Sequence, residues 1–211
     1  MCGRFYLASD KKKLAKQFAI ENSIESKSSY NITPSSDCTI IRLNNNSKEF
    51  SNLNWGLVPS WAKLDIKIKP INAKAETLRE KPYFRNAFKK QRCIIPASGF
   101  YEWQGSKGNK QPYAIYPLND DYFGFAGLWE KRDDLETFTI ITTEVNEIMK
   151  TIHQRMPVIL DSKDYDRWLN DGNYELLRSC PSEGMGCHMI SAAVNKPDNN
   201  SVDLIKVFST N

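Results

Sequence analysis

The sequence is poor in the residue types that would place it in several large classes. It has five cysteines, Cys2, Cys38, Cys93, Cys180 and Cys187, an odd number at irregular spacing with no C-x-x-C pair, which argues against a disulfide framework and for reduced thiols. It has two histidines. Cys180, Cys187 and His188 alone begin to resemble a zinc ligand set, but no fourth ligand stands at a suitable spacing, so no metal and no other cofactor is expected. No apolar run approaches the ~18 residues of a membrane span, and the start of the chain lacks the charged-then-apolar pattern of a signal peptide. Internal repeats and low-complexity tracts are absent. A membrane role is therefore not expected; the expectation is a cytoplasmic monomer, associated with the nucleoid.

What is present is an uneven distribution of charge over 211 residues, a length that suits one domain. From Lys63 to Arg92 ten Lys and Arg face only Asp65, Glu76 and Glu80, a local balance of +7, whereas Pro117 to Glu175 carries −7. Trp55, Trp61, Tyr83 and Phe84 are interleaved with the basic run. Cations for phosphates beside aromatics for bases are what single-stranded nucleic acid requires.

Pattern and punctuation predict many short strands with helices in the connections. Ser9 or Asp10 caps a helix to about Ile20; residues 22–29 read as loop. Strands are expected at Cys38–Leu43 and Phe50–Val58, with 44–46 as the turn between them. The basic segment after Thr77 reads as helical to Gln91 with a break near Pro82. A strand at Cys93–Pro96 precedes a hairpin formed by Gly99–Gln104 and Pro112–Tyr116, its turn at 105–110, and further strands follow at Phe123–Trp129 and Thr137–Thr142. Helices are expected at Glu144–Ile152, from Asp161 to Leu169 and at Tyr174–Arg178, and the chain closes with apolar segments at Cys187–Ser191 and Val202–Phe208. The expected fold is α+β, a curled and mostly antiparallel sheet or β-barrel-like core with flanking helices.

Chemistry is concentrated at the start. If Met1 is removed, Cys2 carries a free α-amine and a thiol on adjacent carbons, and this pair condenses with an aldehyde, first to a Schiff base and then to a thiazolidine ring. The amine titrates near ~8 and the thiol near ~8.5, so both nucleophilic forms are accessible near neutral pH. Glu102, set between Tyr101 and Trp103 in an apolar strand, is a carboxylate whose pKa burial would raise. His153 is suited to moving a proton near neutral pH, and Asn72 to positioning an amine or a sugar hydroxyl.

Six stretches, Cys2-Gly3-Arg4-Phe5, Tyr30-Asn31-Ile32-Thr33-Pro34, Trp55-Gly56-Leu57-Val58-Pro59, Ile71 to Thr77, Pro96 to Trp103 and His153 to Val158, resemble in order and spacing the SRAP family of abasic-site processing proteins. The resemblance runs from residue 2 to about residue 206 and implies one SRAP domain over 1–211, with Met1 removed, that joins covalently to abasic sites in single-stranded DNA. It implies Cys2, Asn72, Glu102 and His153 as the catalytic set. Arg4, Lys74, Arg79, Arg85 and Arg155 become candidates for phosphate contacts, and Trp55 or Trp61 for a stacking platform. Lys74 stands where Arg is expected, which keeps the charge and loses the bidentate fork. Two rival readings are an amino-terminal-nucleophile hydrolase using Cys2, consistent with a family described as peptidases, and a non-catalytic single-strand-binding module. A lyase side reaction by β-elimination is a further expectation.

Overall fold

The computed structural model describes residues 2–21, 27–63, 66–106 and 108–208. Met1, most of the loop expected at 22–29 and one residue of the turn at 105–110 lie outside them. The elements run β1 (Phe5–Leu7), α1 (Lys11–Phe18), β2 (Ser29–Ile32), β3 (Asp37–Asn44), β4 (Ser47–Trp55), β5 (Asn72–Lys74), α2 (Arg85–Lys90), β6 (Arg92–Ala97), β7 (Gly99–Ser106), β8 (Asn109–Pro117), β9 (Phe123–Arg132), β10 (Leu135–Thr143), β11 (Met156–Pro157), β12 (Ile159–Leu160), α3 (Tyr165–Asp171) and β13 (Met185–Met189).

Two sheets carry the architecture. In the larger one β10 pairs in parallel with β4 and antiparallel with β9, and β4–β3, β3–β6 and β6–β9 complete the circuit, so these five strands close on themselves. Closure leaves no free edge within the ring. The second sheet has the order β13-β8-β7-β1-β2. The expected α+β fold with a barrel-like core is what the chain adopts.

Local sequence explains the joints. Asn45 and Asn46 both take positive φ in the β3–β4 turn, a conformation that Asn tolerates better than most residues. Asp10 caps α1 by accepting from the backbone N–H groups of Lys12 and Lys13. The C-terminal carbonyls of α2 and α3 share one cap, the buried Arg92, whose guanidinium donates to the carbonyls of Phe88, Lys89, Trp168, Leu169 and Asn170.

The core is aromatic at its centre. Phe5 reaches from β1 into the barrel, with its ring centroid 5.2 Å from that of Trp55 and 6.2 Å from that of Phe125; Trp55 in turn stacks on Phe138. This corrects the expectation for Trp55. Its side chain is fully buried and its Nε1–H donates to the Ile71 carbonyl, so it has no face to offer a base. Gly56, with φ +141°, turns the chain immediately after it. Trp61 by contrast is 53% exposed and rests edge-on against Tyr83.

A second correction concerns residues 144–152, which form turns and no helix. The Asn146 side chain explains it. Its Oδ1 accepts from the Met149 N–H while its Nδ2 donates to the Cys180 carbonyl and the Met185 sulfur, so one turn is tied off and held against the segment leading into β13. The basic segment after Thr77 is helical only over α2, and the stretch at Tyr174 is a single 3₁₀ turn.

Replacing the two tryptophans separates their roles. Trp55→Ala is expected to lower the unfolding free energy by about 3–5 kcal/mol, and Trp61→Ala by less than about 1 kcal/mol, in urea titrations followed by circular dichroism. A small loss for Trp55→Ala would contradict its place in the core.

Candidate functional site

The site is built where β1 meets β7. Phe5 pairs with Phe100 and Tyr6 with Gly99, and the Tyr101 N–H donates to the Arg4 carbonyl at 2.9 Å, so the segment before β1 runs beside Glu102. Gly99 is required there, because a Cβ would lie 2.4 Å from the Tyr6 hydroxyl and 2.5 Å from the Ile115 carbonyl. On the other side β5 contributes Asn72, whose Nδ2 donates to the Cys2 carbonyl at 2.8 Å. Cys2 is completely buried and Glu102 is 4% exposed.

Burial sets the protonation states. It raises the Glu102 carboxyl from 4.5 to about 7. It also pushes the Cys2 thiol well above its ordinary value, and the neighbouring Glu102 charge adds to this. His153 moves the other way, lowered by burial, with Lys110 acting on it as it does on Glu102. Burial thus favours the uncharged form of all three groups.

His153 stands at the end of the 147–152 turns, with its backbone N–H bonded to the Met149 carbonyl. Its Nδ1 lies 3.0 Å from the Arg155 N–H and 3.1 Å from the Arg155 carbonyl. Both neutral tautomers are served there, the Nε2–H form accepting at Nδ1 from the N–H and the Nδ1–H form donating to the carbonyl, and the charged ring also donates from Nδ1 to the carbonyl. The imidazole therefore gains or loses a proton without rotating. A strut holds the turn to the hairpin: the Tyr113 hydroxyl donates to Gln104 Oε1, and Gln104 Nε2 donates to the Thr151 carbonyl.

The structure thus gathers Cys2, Asn72 and Glu102, with His153 on the adjoining turn. The cation candidates divide. Lys74, Arg79 and Arg85 are exposed, Arg79 with its guanidinium 4.4 Å from the Tyr174 ring centroid. Arg4 is half-buried, and its Nη1 is committed to Asn31 Oδ1 and the Val194 carbonyl. Arg155 is committed as well, to both carboxylate oxygens of Glu76 and to the Thr142 carbonyl.

Sequence reasoning assigned no role to Glu76, Thr142 or Gln104. For Glu76 a signal existed, an acid inside a basic run; for a threonine and a glutamine in strands none did. The Asn72 Oδ1, Thr142 Oγ1 and Arg155 Nε atoms are buried without a hydrogen-bond partner among the described residues, a concentration of unmet polar capacity along β5, β10 and the segment before β11. Two surface clefts of about 470 and 500 Å³ have none of Cys2, Asn72, Glu102 or His153 in their walls. Among the described residues no three His, Cys, Asp or Glu side chains converge as a metal ion needs, and no helix is long and apolar enough to cross a membrane.

Comparison with known proteins bears on this geometry. A family model described as SOS response associated peptidase (SRAP) matches residues 1–197. The abasic site processing protein YoqW of Bacillus subtilis (strain 168) is 43% identical over 223 aligned residues, covering 98% of this chain and 99% of that protein. The abasic site processing protein HMCES of Xenopus tropicalis is 31% identical over 214 aligned residues, covering 82% of this chain and 64% of its own. A crystal structure of a protein from Bacteroides thetaiotaomicron has a TM-score of 0.88 at 27% identity, covering 99% of this chain and 100% of that one.

The raised Glu102 carboxyl carries a consequence for stability. The folded chain keeps this proton where the unfolded chain has lost it, so the stabilising contribution is full below about pH 4.5 and is lost as pH rises through about 7. At about 1.36 kcal/mol per pH unit the loss is roughly 3 kcal/mol. His153, with its lowered pKa, contributes with the opposite sign, so the comparison needed is with Glu102→Gln, which leaves His153 in place. Urea unfolding between pH 4.5 and 8 is expected to show the unaltered chain losing about 3 kcal/mol more than this variant; parallel curves would rule the raised carboxyl out.

Proposed function

The chain belongs to the SOS response associated peptidase family, and on that premise we propose that it acts on abasic sites in DNA, joining its own amino terminus covalently to the ring-opened sugar in a single strand. The observation that carries this reading is the bond from Asn72 Nδ2 to the Cys2 carbonyl, which holds the second residue of the chain beside a buried carboxyl. The reading requires removal of Met1.

The chemistry then follows from groups already in place. The closed hemiacetal of the abasic sugar opens when a proton reaches the ring oxygen as the anomeric hydroxyl gives one up. Glu102, protonated below about pH 7, supplies the first. The Cys2 amine attacks the aldehyde carbon to give a carbinolamine, whose hydroxyl leaves as water once it is protonated, giving an imine. The Cys2 sulfur then adds to the imine carbon and the thiol proton passes to nitrogen. One C–N and one C–S bond form, one water is lost, and the product is a thiazolidine. Asn72 orients the Cys2 backbone and keeps an acceptor, Oδ1, for the amine or a sugar hydroxyl. His153 moves protons at the sugar hydroxyl, since Arg155 backbone groups serve Nδ1 in either state.

Single-strand binding is read from the surface nearby. Lys74, Arg79 and Arg85 present exposed cations to phosphates, and Trp61 beside Tyr83 presents a ring face to a base. An extruded sugar is most easily reached where no partner strand competes for its base.

The family description also carries the word peptidase, which favours a second reading in which the Cys2 thiolate attacks an amide. Burial and the Glu102 charge weigh against it, because both hold the sulfur in its protonated form.

One experiment distinguishes the readings. Protein verified by intact mass to lack Met1 is incubated with a single-stranded oligonucleotide carrying one abasic site. The expected product has the summed mass less one water and survives heat and denaturant; the undamaged oligonucleotide gives none. Cys2→Ala should give no stable adduct, Cys2→Ser should shift the outcome toward strand cleavage by β-elimination, and Glu102→Gln should slow the reaction by about 10²–10⁴-fold. An unaltered yield with Cys2→Ala, or peptide hydrolysis without any adduct, would overturn the proposal.

A further inference from the structure

Glu76 sits in the 3₁₀ turn Ala75–Thr77 that follows β5, and Arg155 in the segment before β11, with β10 between them. Arg155 Nη1 donates to Glu76 Oε1 at 2.7 Å and Nη2 to Oε2 at 2.9 Å, while Nη2 also donates to the Thr142 carbonyl at 2.6 Å. The arginine side chain is 17% exposed and the glutamate 47%. The fork is mostly covered, and the group covering it faces solvent.

Two oxygens in one plane against a guanidinium fork are the arrangement a phosphate also offers. The acid lies in the most basic part of the chain, between Lys74 and Arg79, where a strand of phosphates would be drawn. The arginine is two residues from His153, and the acid is four from Asn72. We propose that Glu76 occupies, in the free protein, the seat that a DNA phosphate takes on Arg155, so that the strand enters by exchanging one anion for the other. This rests on the reading of the site as one for single-stranded DNA.

The exchange costs little in geometry. The Thr142 carbonyl keeps hold of Nη2 while Glu76 swings out, so the guanidinium stays in place and the Arg155 backbone, which flanks His153 Nδ1, is not disturbed. Until the strand arrives, Arg155 is neutralised and attracts other anions weakly. Glu76 is thus a gate on affinity. A residue that merely oriented Arg155 would have the opposite effect when removed.

The test uses the full chain and a single-stranded oligonucleotide carrying a tetrahydrofuran abasic analogue, which has no aldehyde and so binds without cross-linking. Glu76→Gln is expected to tighten binding about two- to fivefold, the worth of a partly exposed ion pair. The gain should exceed that from Glu80→Gln, which measures the general effect of removing a negative charge from this segment, and it should vanish in an Arg155→Lys background. In the unaltered chain, the Arg155 guanidinium N–H resonances should move on adding the oligonucleotide, and a folded Glu76→Gln variant should show most of the departure from the carboxylate-bound position without it. Weaker binding by Glu76→Gln, a gain no larger than that of Glu80→Gln, or a gain that persists with Arg155→Lys would each overturn the exchange while leaving the DNA reading intact. Failure of the unaltered chain to bind the oligonucleotide at all would overturn the reading and the exchange together.

Discussion

The pairing of β1 with β7 on one side and β2 on the other holds still a part of the chain that ordinarily frays. β1 is only three residues long, and its hydrogen bonds alone would be a weak anchor. The rest comes from Phe5, which inserts into the aromatic centre of the barrel, and from Arg4, which is tied to Asn31 and to the Val194 carbonyl. Asn72 completes the restraint from β5 by holding the Cys2 carbonyl. Cys2 is therefore placed with the precision of a core residue although it stands at the edge of the sequence. The proposed ring closure, in which one residue forms two bonds to one carbon, needs that precision, since an imine and a sulfur must meet in a ring of fixed size.

Burial then does two things at once. It fixes the groups, and it favours the uncharged state of the carboxyl, the thiol and the imidazole. On the proposed reading, condensation of an amine with an aldehyde moves protons repeatedly and leaves no net charge behind, so the Glu102 carboxyl, balanced between its states near pH 7, suits it better than a fixed ion. The fixed ions stand further out: Glu76 with Arg155, then the exposed Lys74, Arg79 and Arg85. On the same proposed reading the arrangement separates proton transfer, which profits from low polarity, from recognition of a polyanion, which depends on charge that solvent can reach.

How much of this could be read in the sequence depends on the range of the interaction involved. The strands and the β7–β8 hairpin were legible because alternation and turn residues are local, and Glu102 was legible as a charge inside an apolar strand. The α1 cap at Asp10 was local too. Trp55 was misread because an aromatic beside a basic run looks the same whether it faces solvent or a closing barrel; only the parallel pairing of β4 with β10 decides it. Residues 144–152 have a helical spacing of apolar groups, yet the contacts that win are those of Asn146 with Cys180 and Met185, more than thirty residues away. The cations were legible as charge and illegible as commitments. Nothing local says that Arg4 is spent on Val194, 190 residues on, or that Arg155 is spent on Glu76.

The segment after β13 shows why such distant commitments are worth their cost in chain entropy. Asn31 donates to the carbonyls of Val194, Lys196 and Asn199, Trp103 donates to Asn195, and His188 Nε2 lies 2.9 Å from the Ile205 carbonyl, so residues 192–206 lie as a strap across the second face of the smaller sheet. Beneath the strap Tyr6, Tyr101, Ala114, Ile190, Val194 and Leu204 form a core of their own. A β1 covered only on its barrel face would be free to peel from β7 with little loss of buried surface. Covered on both faces, it cannot leave without opening two cores. The segment that carries Cys2 is thus secured through both faces of β1.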